Sequence, residues 1–150
     1  ATRGPYTTLF RSKSLGAERA RLMYPAASIA SHGGRLVMSS DWPATALNPL
    51  ENIQIAVTRQ PLDGSRAAKR PGERLDLAAA LTAYIKNAAY VAREDSIDGT
   101  LEVGKAADLV VLDRDLFRTT ALSLHRVRVL LTLLDGEPVY RDKRLPWGER

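Results

Sequence analysis

The sequence predicts an α/β chain that turns β-rich towards its end, and three observations carry that prediction. Arg35-Leu36-Val37-Met38-Ser39-Ser40 is a short apolar run without polar alternation, the pattern of a strand buried on both faces of a parallel sheet. Leu77, Ala80, Leu81, Tyr84, Ile85, Ala88 and Ala92 recur at the helical period and form one apolar stripe. After Gly99 the period shortens, and two apolar runs flank Asp135-Gly136, a strong short-range hairpin signal. The 150 residues, 45% of them apolar, are one ordinary domain at most and enough for a core without staples.

Taken in order, Ala17 to Tyr24 holds helix-forming residues and stops at Pro25. Ala26 to Ser31 reads as a short helix ended by Gly33-Gly34, whose permissive backbone suits a C-terminal cap. The strand at 35–40 ends at Asp41-Trp42-Pro43. Asn48-Pro49-Leu50 then opens a helix through Thr58, with Pro49 at its first position. Residues 59–75 form a loop with two prolines, two glycines and the basic residues Arg59, Arg66, Lys69, Arg70 and Arg74. Asp76 caps the helix carrying the 77–92 stripe, and Thr82, Lys86 and Arg93 mark its polar face. Thr100 to Val103 and Ala107 to Asp113 read as strands around a turn at Gly104-Lys105. Val127 to Leu134 and Pro138 to Arg141 form the hairpin.

The charge balance is +5 at neutral pH, from 22 basic and 17 acidic residues. Residues 1–13 hold Arg3, Arg11 and Lys13 and no acid, so residues 14–150 carry 19 basic against 17 acidic side chains, or +2. No apolar h-region follows the first residues, which excludes a secretory signal peptide there. The segment is Arg-bearing and acid-poor, as transit peptides are, but Pro5 to Ser12 resembles translated vector sequence. Residues 1–13 are therefore read as a non-native leader. Without cysteine there is no disulfide framework, thiolate nucleophile or Cys-based metal site. The longest apolar runs fall far short of the ~20 residues that a membrane span needs.

Asp41 is the most informative position. A carboxylate just beyond the C-terminal end of a buried parallel strand sits where α/β barrels place catalytic groups. There it can bind a divalent metal or take a proton from metal-bound water. The plainer alternative is a cap on the following turn. His32 and His125 read as ordinary unligated histidines, one at a helix end and one ahead of a strand. Tyr84 falls on the apolar stripe and reads as core packing. Gly104-Lys105 lacks a phosphate-loop pattern and reads as a β-turn.

Ser39-Ser40-Asp41-Trp42-Pro43, Asn48-Pro49-Leu50 and Ala56-Val57-Thr58-Arg59 together resemble the last barrel strand and following segment of the metal-dependent amidohydrolase superfamily. The resemblance is to its amidohydrolase 3, or YtcJ-like, group. Ala79-Ala80-Leu81-Thr82-Ala83-Tyr84 with Asn87-Ala88-Ala89 is similar to that group's final barrel helix. The run from Gly99 to Asp113, with Gly104-Lys105-Ala106-Ala107-Asp108 at its centre, resembles the superfamily's tail motif. Thr132, Gly136, Val139 and Tyr140 fit its closing hairpin. The likeness covers about residues 15–142.

The resemblance implies the C-terminal part of a (β/α)8 TIM barrel at 14–95, part of a composite β-sandwich at 96–142, and a C-terminal tail at 143–150. It implies one or two divalent metals, usually zinc, with Asp41 as metal ligand and as proton shuttle between the hydrolytic water and the leaving nitrogen. Trp42 then either walls the substrate pocket or packs beneath it. Arg59, with the basic loop 59–74, either meets substrate at the barrel mouth or is solvated surface. The family's His-x-His pair and its other metal ligands match nothing in this sequence, and a barrel needs about 250 residues. The chain is therefore expected to be a fragment, inactive alone, of a hydrolase acting on amide- or formamide-type carbon–nitrogen bonds. A small-molecule substrate, a homo-oligomeric parent and a cytoplasmic location (or export, given an upstream signal) complete that expectation. The alternatives are a small basic nucleic-acid-binding module, resting on the pI near 9.8, and a catalytically inert structural piece. Few aromatics and the +2 balance count against nucleic acid.

Overall fold

Helix ends and turns follow the local chemistry of the chain in the computed structural model, which describes residues 15–16 and 18–145. The segment read as a leader lies outside those residues. Helical backbone at 18–20 gives way to a turn at 21–22, well short of Tyr24. Arg21, Leu22 and Met23 donate their N–H groups three residues back, to Glu18, Arg19 and Ala20, so the turn tightens instead of propagating. Tyr24, ahead of Pro25, takes a left-handed φ of 53°.

Helix α1, Ala26–Ser31, ends as the glycine pair predicts. Gly33 has φ 80°, its N–H reaches the Ala30 carbonyl at 3.0 Å, and that of Gly34 reaches Ile29 at 2.9 Å. This is the paired-bond cap that a left-handed residue makes possible. Residues 34–40 then run extended but join no β-ladder, which corrects the predicted strand. Met38 N–H bonds to the Ala83 carbonyl at 3.1 Å, and the Asn87 amide donates to the Leu36 carbonyl at 2.7 Å. Leu36 and Met38 pack against the core while Val37 stays 42% exposed. Among the described residues no parallel neighbour lies alongside, so one face is covered and not two.

Helix α2, Pro49–Thr58, is capped by Asn48, whose side chain accepts from Leu50 N–H at 3.0 Å. It ends at Arg59 in the left-handed region, φ 57°. The following loop contains a single 3-10 turn, Pro71–Glu73. Asp76 then caps α3, Leu77–Tyr84, accepting from Ala79 N–H at 2.6 Å. The single helix expected across 77–92 is instead two: α4, Lys86–Ala92, follows a break at Ile85, with ψ −80°. Two contacts re-aim the second half. Asn87 ties it to the extended segment, and Gly99 lies so close that a Cβ there would sit 2.6 Å from the Ala89 Cβ. Ala89 is buried as a result, while Ile85, placed on the stripe by periodicity, is 54% exposed.

The strand expected at 100–103 is also absent. Lys105 Nζ instead clasps the Asp95 and Asp98 carbonyls at 2.6 and 3.1 Å, and Ala106 N–H bonds to Ile97 at 2.8 Å. The loop folds on itself, and Gly104-Lys105 makes the turn read for it. The remaining strands form one antiparallel sheet in the order β1-β2-β3: β1 Leu109–Leu112, β2 Val129–Leu134 and β3 Glu137–Arg141. Thr132 pairs with Val110 on one side and Tyr140 on the other. Asp135 and Gly136, at φ 51° and 82°, make the predicted two-residue turn, whose positive φ angles match the strand twist. The core lies between α2, α3 and the 3-10 segment Ala121–Arg126, centred on Leu50, Ile53, Ala56, Leu75, Ala80, Leu124 and Val127. Among the described residues no helix is long and apolar enough to cross a membrane.

Candidate functional site

The extended segment delivers Asp41 into a turn at residues 41–44, in a left-handed conformation with φ 46°. Its N–H bonds to the Ser39 hydroxyl at 3.2 Å, and its carbonyl accepts from Ala44 N–H at 2.7 Å. Every residue from 41 to 49 is exposed. The carboxylate therefore faces solvent, and no described residue hydrogen-bonds it. Trp42 shares the turn and is 65% exposed. Arg59 does not join them. It follows the C-terminal end of α2, and its side chain bonds to the loop beyond that end.

Arg59 is half-buried. Its Nε donates to the Lys69 carbonyl at 3.2 Å, and burial, with Arg70 nearby, lowers its pKa. Arg70 binds the Met23 carbonyl, and Arg74 Nε donates to that of Thr58 at 3.1 Å. Three of the loop's guanidiniums thus close backbone carbonyls, a structural use of a run read as a candidate for substrate contact. Glu73 completes this region, 7% exposed, accepting from Ser28 N–H at 3.0 Å and the Ser28 hydroxyl at 2.5 Å. Nothing in sequence spacing points to that pair, which bridges 45 positions.

Both histidines are held structurally. His32 Nδ1 meets the Ser28 carbonyl at 2.8 Å at the end of α1. His125 Nδ1 lies 2.7 Å from Gln54 Oε1, which also accepts the His125 N–H at 3.1 Å, while the Gln54 amide donates to the Leu62 carbonyl at 2.9 Å. Since Oε1 can only accept, Nδ1 carries the proton. Gln54 is fully buried in the helix face that presents Leu50 and Ile53 to the core. A polar residue at that spacing was a readable signal for such a tie. Among the described residues no three of His, Cys, Asp and Glu come together. Asp41 supplies one carboxylate, and these residues by themselves do not make a metal cage.

An open cleft of about 370 Å³ lies between the start of α2 and the β2–β3 pair, lined by residues including His125, Arg126, Arg128, Tyr140 and Arg144. It does not include Asp41. Two of its guanidiniums are already answered, Arg128 by Asp113 at 3.1 Å and Arg144 by Asp142.

Known proteins resemble this chain in sequence and in fold. The N-substituted formamide deformylase of Arthrobacter pascens is 34% identical over 114 residues, which cover 76% of this chain and 21% of that protein. YtcJ of Bacillus subtilis (strain 168), itself assigned as an amidohydrolase, is 27% identical over 127 residues, covering 84% of this chain and 24% of its own length. The chain thus spans between a fifth and a quarter of these relatives. Among solved structures, an enamidase described as a member of the amidohydrolase superfamily superposes with a TM-score of 0.53 at 20% identity, over 89% of this chain and 34% of that one. The helices and small antiparallel sheet therefore follow part of a structure from a superfamily whose fold is the TIM barrel. A family model for amidohydrolases matches residues 5–140, a span that takes in part of the segment read as a leader. The chain belongs to the amidohydrolase family.

Proposed function

We propose that this chain is the C-terminal portion of a barrel hydrolase that cleaves non-peptide carbon–nitrogen bonds of the amide or formamide type, with Asp41 as its working carboxylate. The observation that carries the reading is the exposed Asp41 at the end of the 34–40 segment, within a sequence that matches the amidohydrolase family over residues 5–140. In the complete barrel this segment would supply a strand, and the C-terminal end of a barrel strand is where such folds put their chemistry. The formamide deformylase relative supports the substrate class.

In this reading the oxygen of water bonds to the carbonyl carbon as the carbon–nitrogen bond breaks. Asp41 collects the proton released by water and returns it to the leaving nitrogen, so the products are a carboxylic acid and an amine. Amidohydrolases typically use divalent metals, and we assign zinc to the complete protein. Asp41 would be this chain's one contribution to that site. Trp42, beside it and exposed, is placed to wall a small-molecule pocket.

The test is Asp41→Asn in the complete protein, assayed by formate release from an N-substituted formamide. The amide cannot carry the proton, so kcat/KM is expected to fall at least about a hundredfold. Activity within a few-fold of the parent would sink the assignment. The upstream reading frame should also encode a His-x-His pair, and a frame without it would contradict the metal-hydrolase reading.

A further inference from the structure

Residues 41–49 present a physical problem: all nine are exposed, Trp42 at 65% and Leu47 at 73%, so no apolar side chain anchors the segment that carries Asp41. Its placement rests on polar ties. Near Asp41 these are local, from Asp41 N–H to Ser39, from Ala44 N–H to Asp41, and from the Thr45 hydroxyl to the Ser40 carbonyl. Such bonds hold the turn's shape but do not fix the turn to the body of the molecule. Beyond the Asn48 cap at the loop's last residue, one described side chain does. Asn52, in the first turns of α2 and only 8% exposed, donates from Nδ2 to the Ala46 carbonyl at 3.0 Å.

The surroundings of Asn52 make that tie stiff. Its helix packs on the core through Leu50, Ile53 and Ala56, and its N-terminus is capped by Asn48 at the far end of the same loop. The Tyr84 hydroxyl, buried and without a hydrogen bond in this geometry, lies against the Asn52 amide. Tyr84 itself packs against the core from α3. An amide held between a packed phenol and a backbone carbonyl has little freedom to rotate, and a buried amide without its acceptor is costly.

We propose that Asn52 is a positioning residue: by holding Ala46 it clamps the 41–48 loop to α2 and thereby fixes where the Asp41 carboxylate points. The role in turnover rests on the reading of Asp41 as the working carboxylate, but the clamp itself does not.

The test separates the two. In the chain carrying Trp147→Phe, Trp42 is the remaining tryptophan, and its time-resolved anisotropy reports the order of the loop. Asn52→Leu keeps the branched shape, adds some volume and cannot donate. Asn52→Asp is isosteric and, when ionised, only accepts. Each is expected to lower the residual anisotropy of Trp42 by roughly twofold while helical circular dichroism is retained, because only the loop is released. Unchanged anisotropy in both variants overturns the clamp. In the complete protein, Asn52→Leu should lower kcat for formate release about tenfold with KM little changed, since aim and not binding is lost. Full activity of Asn52→Leu beside an inactive Asp41→Asn overturns the role in turnover. An active Asp41→Asn overturns the reading of Asp41 and leaves the anisotropy result to judge the clamp.

Discussion

Glu73 shows how a single side chain fastens distant segments and makes stability depend on pH. The two hydrogen bonds from Ser28, hydroxyl first and then backbone, hold its carboxyl below the ordinary value of 4.5, with Arg70 adding to them against the opposing effect of burial. A carboxyl lowered in the folded state binds protons more readily when unfolded. Its contribution is therefore complete above the unfolded value, about 4.5, and lost as pH falls through the lowered native value. Urea denaturation followed from pH 7 to pH 3 should show Glu73→Gln less stable than the parent at pH 7, with the gap closing below pH 4.5. A gap independent of pH would show that the carboxylate charge is not what Ser28 and Arg70 recognise. The sequence singles out Asp41 because motif and position both mark it. It does not single out Glu73, Asn52 or the protonated Nδ1 of His125, because their roles are defined by partners elsewhere in the chain.

At the scale of elements, what the chain encodes within a few residues came out as read. The Asn48-Pro49-Leu50 helix start, the Asp76 cap, the Gly33-Gly34 helix end and the Asp135-Gly136 hairpin each depend on near neighbours only. The break at Ile85, the unpaired 34–40 segment and the folded loop at 100–103 depend on what packs against them. Two glycines separate these kinds of cause. Gly136 has φ 82°, but a Cβ there would meet only Ala107, at an ordinary 3.8 Å. Gly136→Ala should therefore cost about 1 kcal/mol, the strain of the left-handed backbone. Gly99, at φ 83°, adds a collision at 2.6 Å with Ala89. Gly99→Ala should cost about 2–4 kcal/mol, strain plus overpacking. Equal losses in denaturant titrations would mean that the 96–100 loop moves off α4 freely.

For the whole molecule, the distribution of apolar surface and of candidate ligands points the same way. Leu101, Val103, Val91 and Leu47 are largely exposed, and every residue of β3 faces solvent. Surfaces of this kind are covered in stable proteins. With Asp41 as one carboxylate and no cluster of three candidate ligands among the described residues, the 150-residue chain should purify with substoichiometric zinc and show negligible amide hydrolysis. One equivalent of zinc by elemental analysis, or measurable turnover, would contradict this.

The sequence by itself determined the family, the caps and the turns, because each is written in contiguous residues or in motifs whose order survives without a structure. Only the tertiary structure decided that 34–40 is covered on one face, that the long helix breaks at Ile85, and that Arg59 bonds to the Lys69 carbonyl. It alone shows Ser28 joined to Glu73 across 45 positions and Gln54 to His125 across 71. The physical reason is range. Propensity and capping act over a turn or two of chain, whereas burial and the hydrogen bonds that must accompany it are settled by whichever segment arrives alongside.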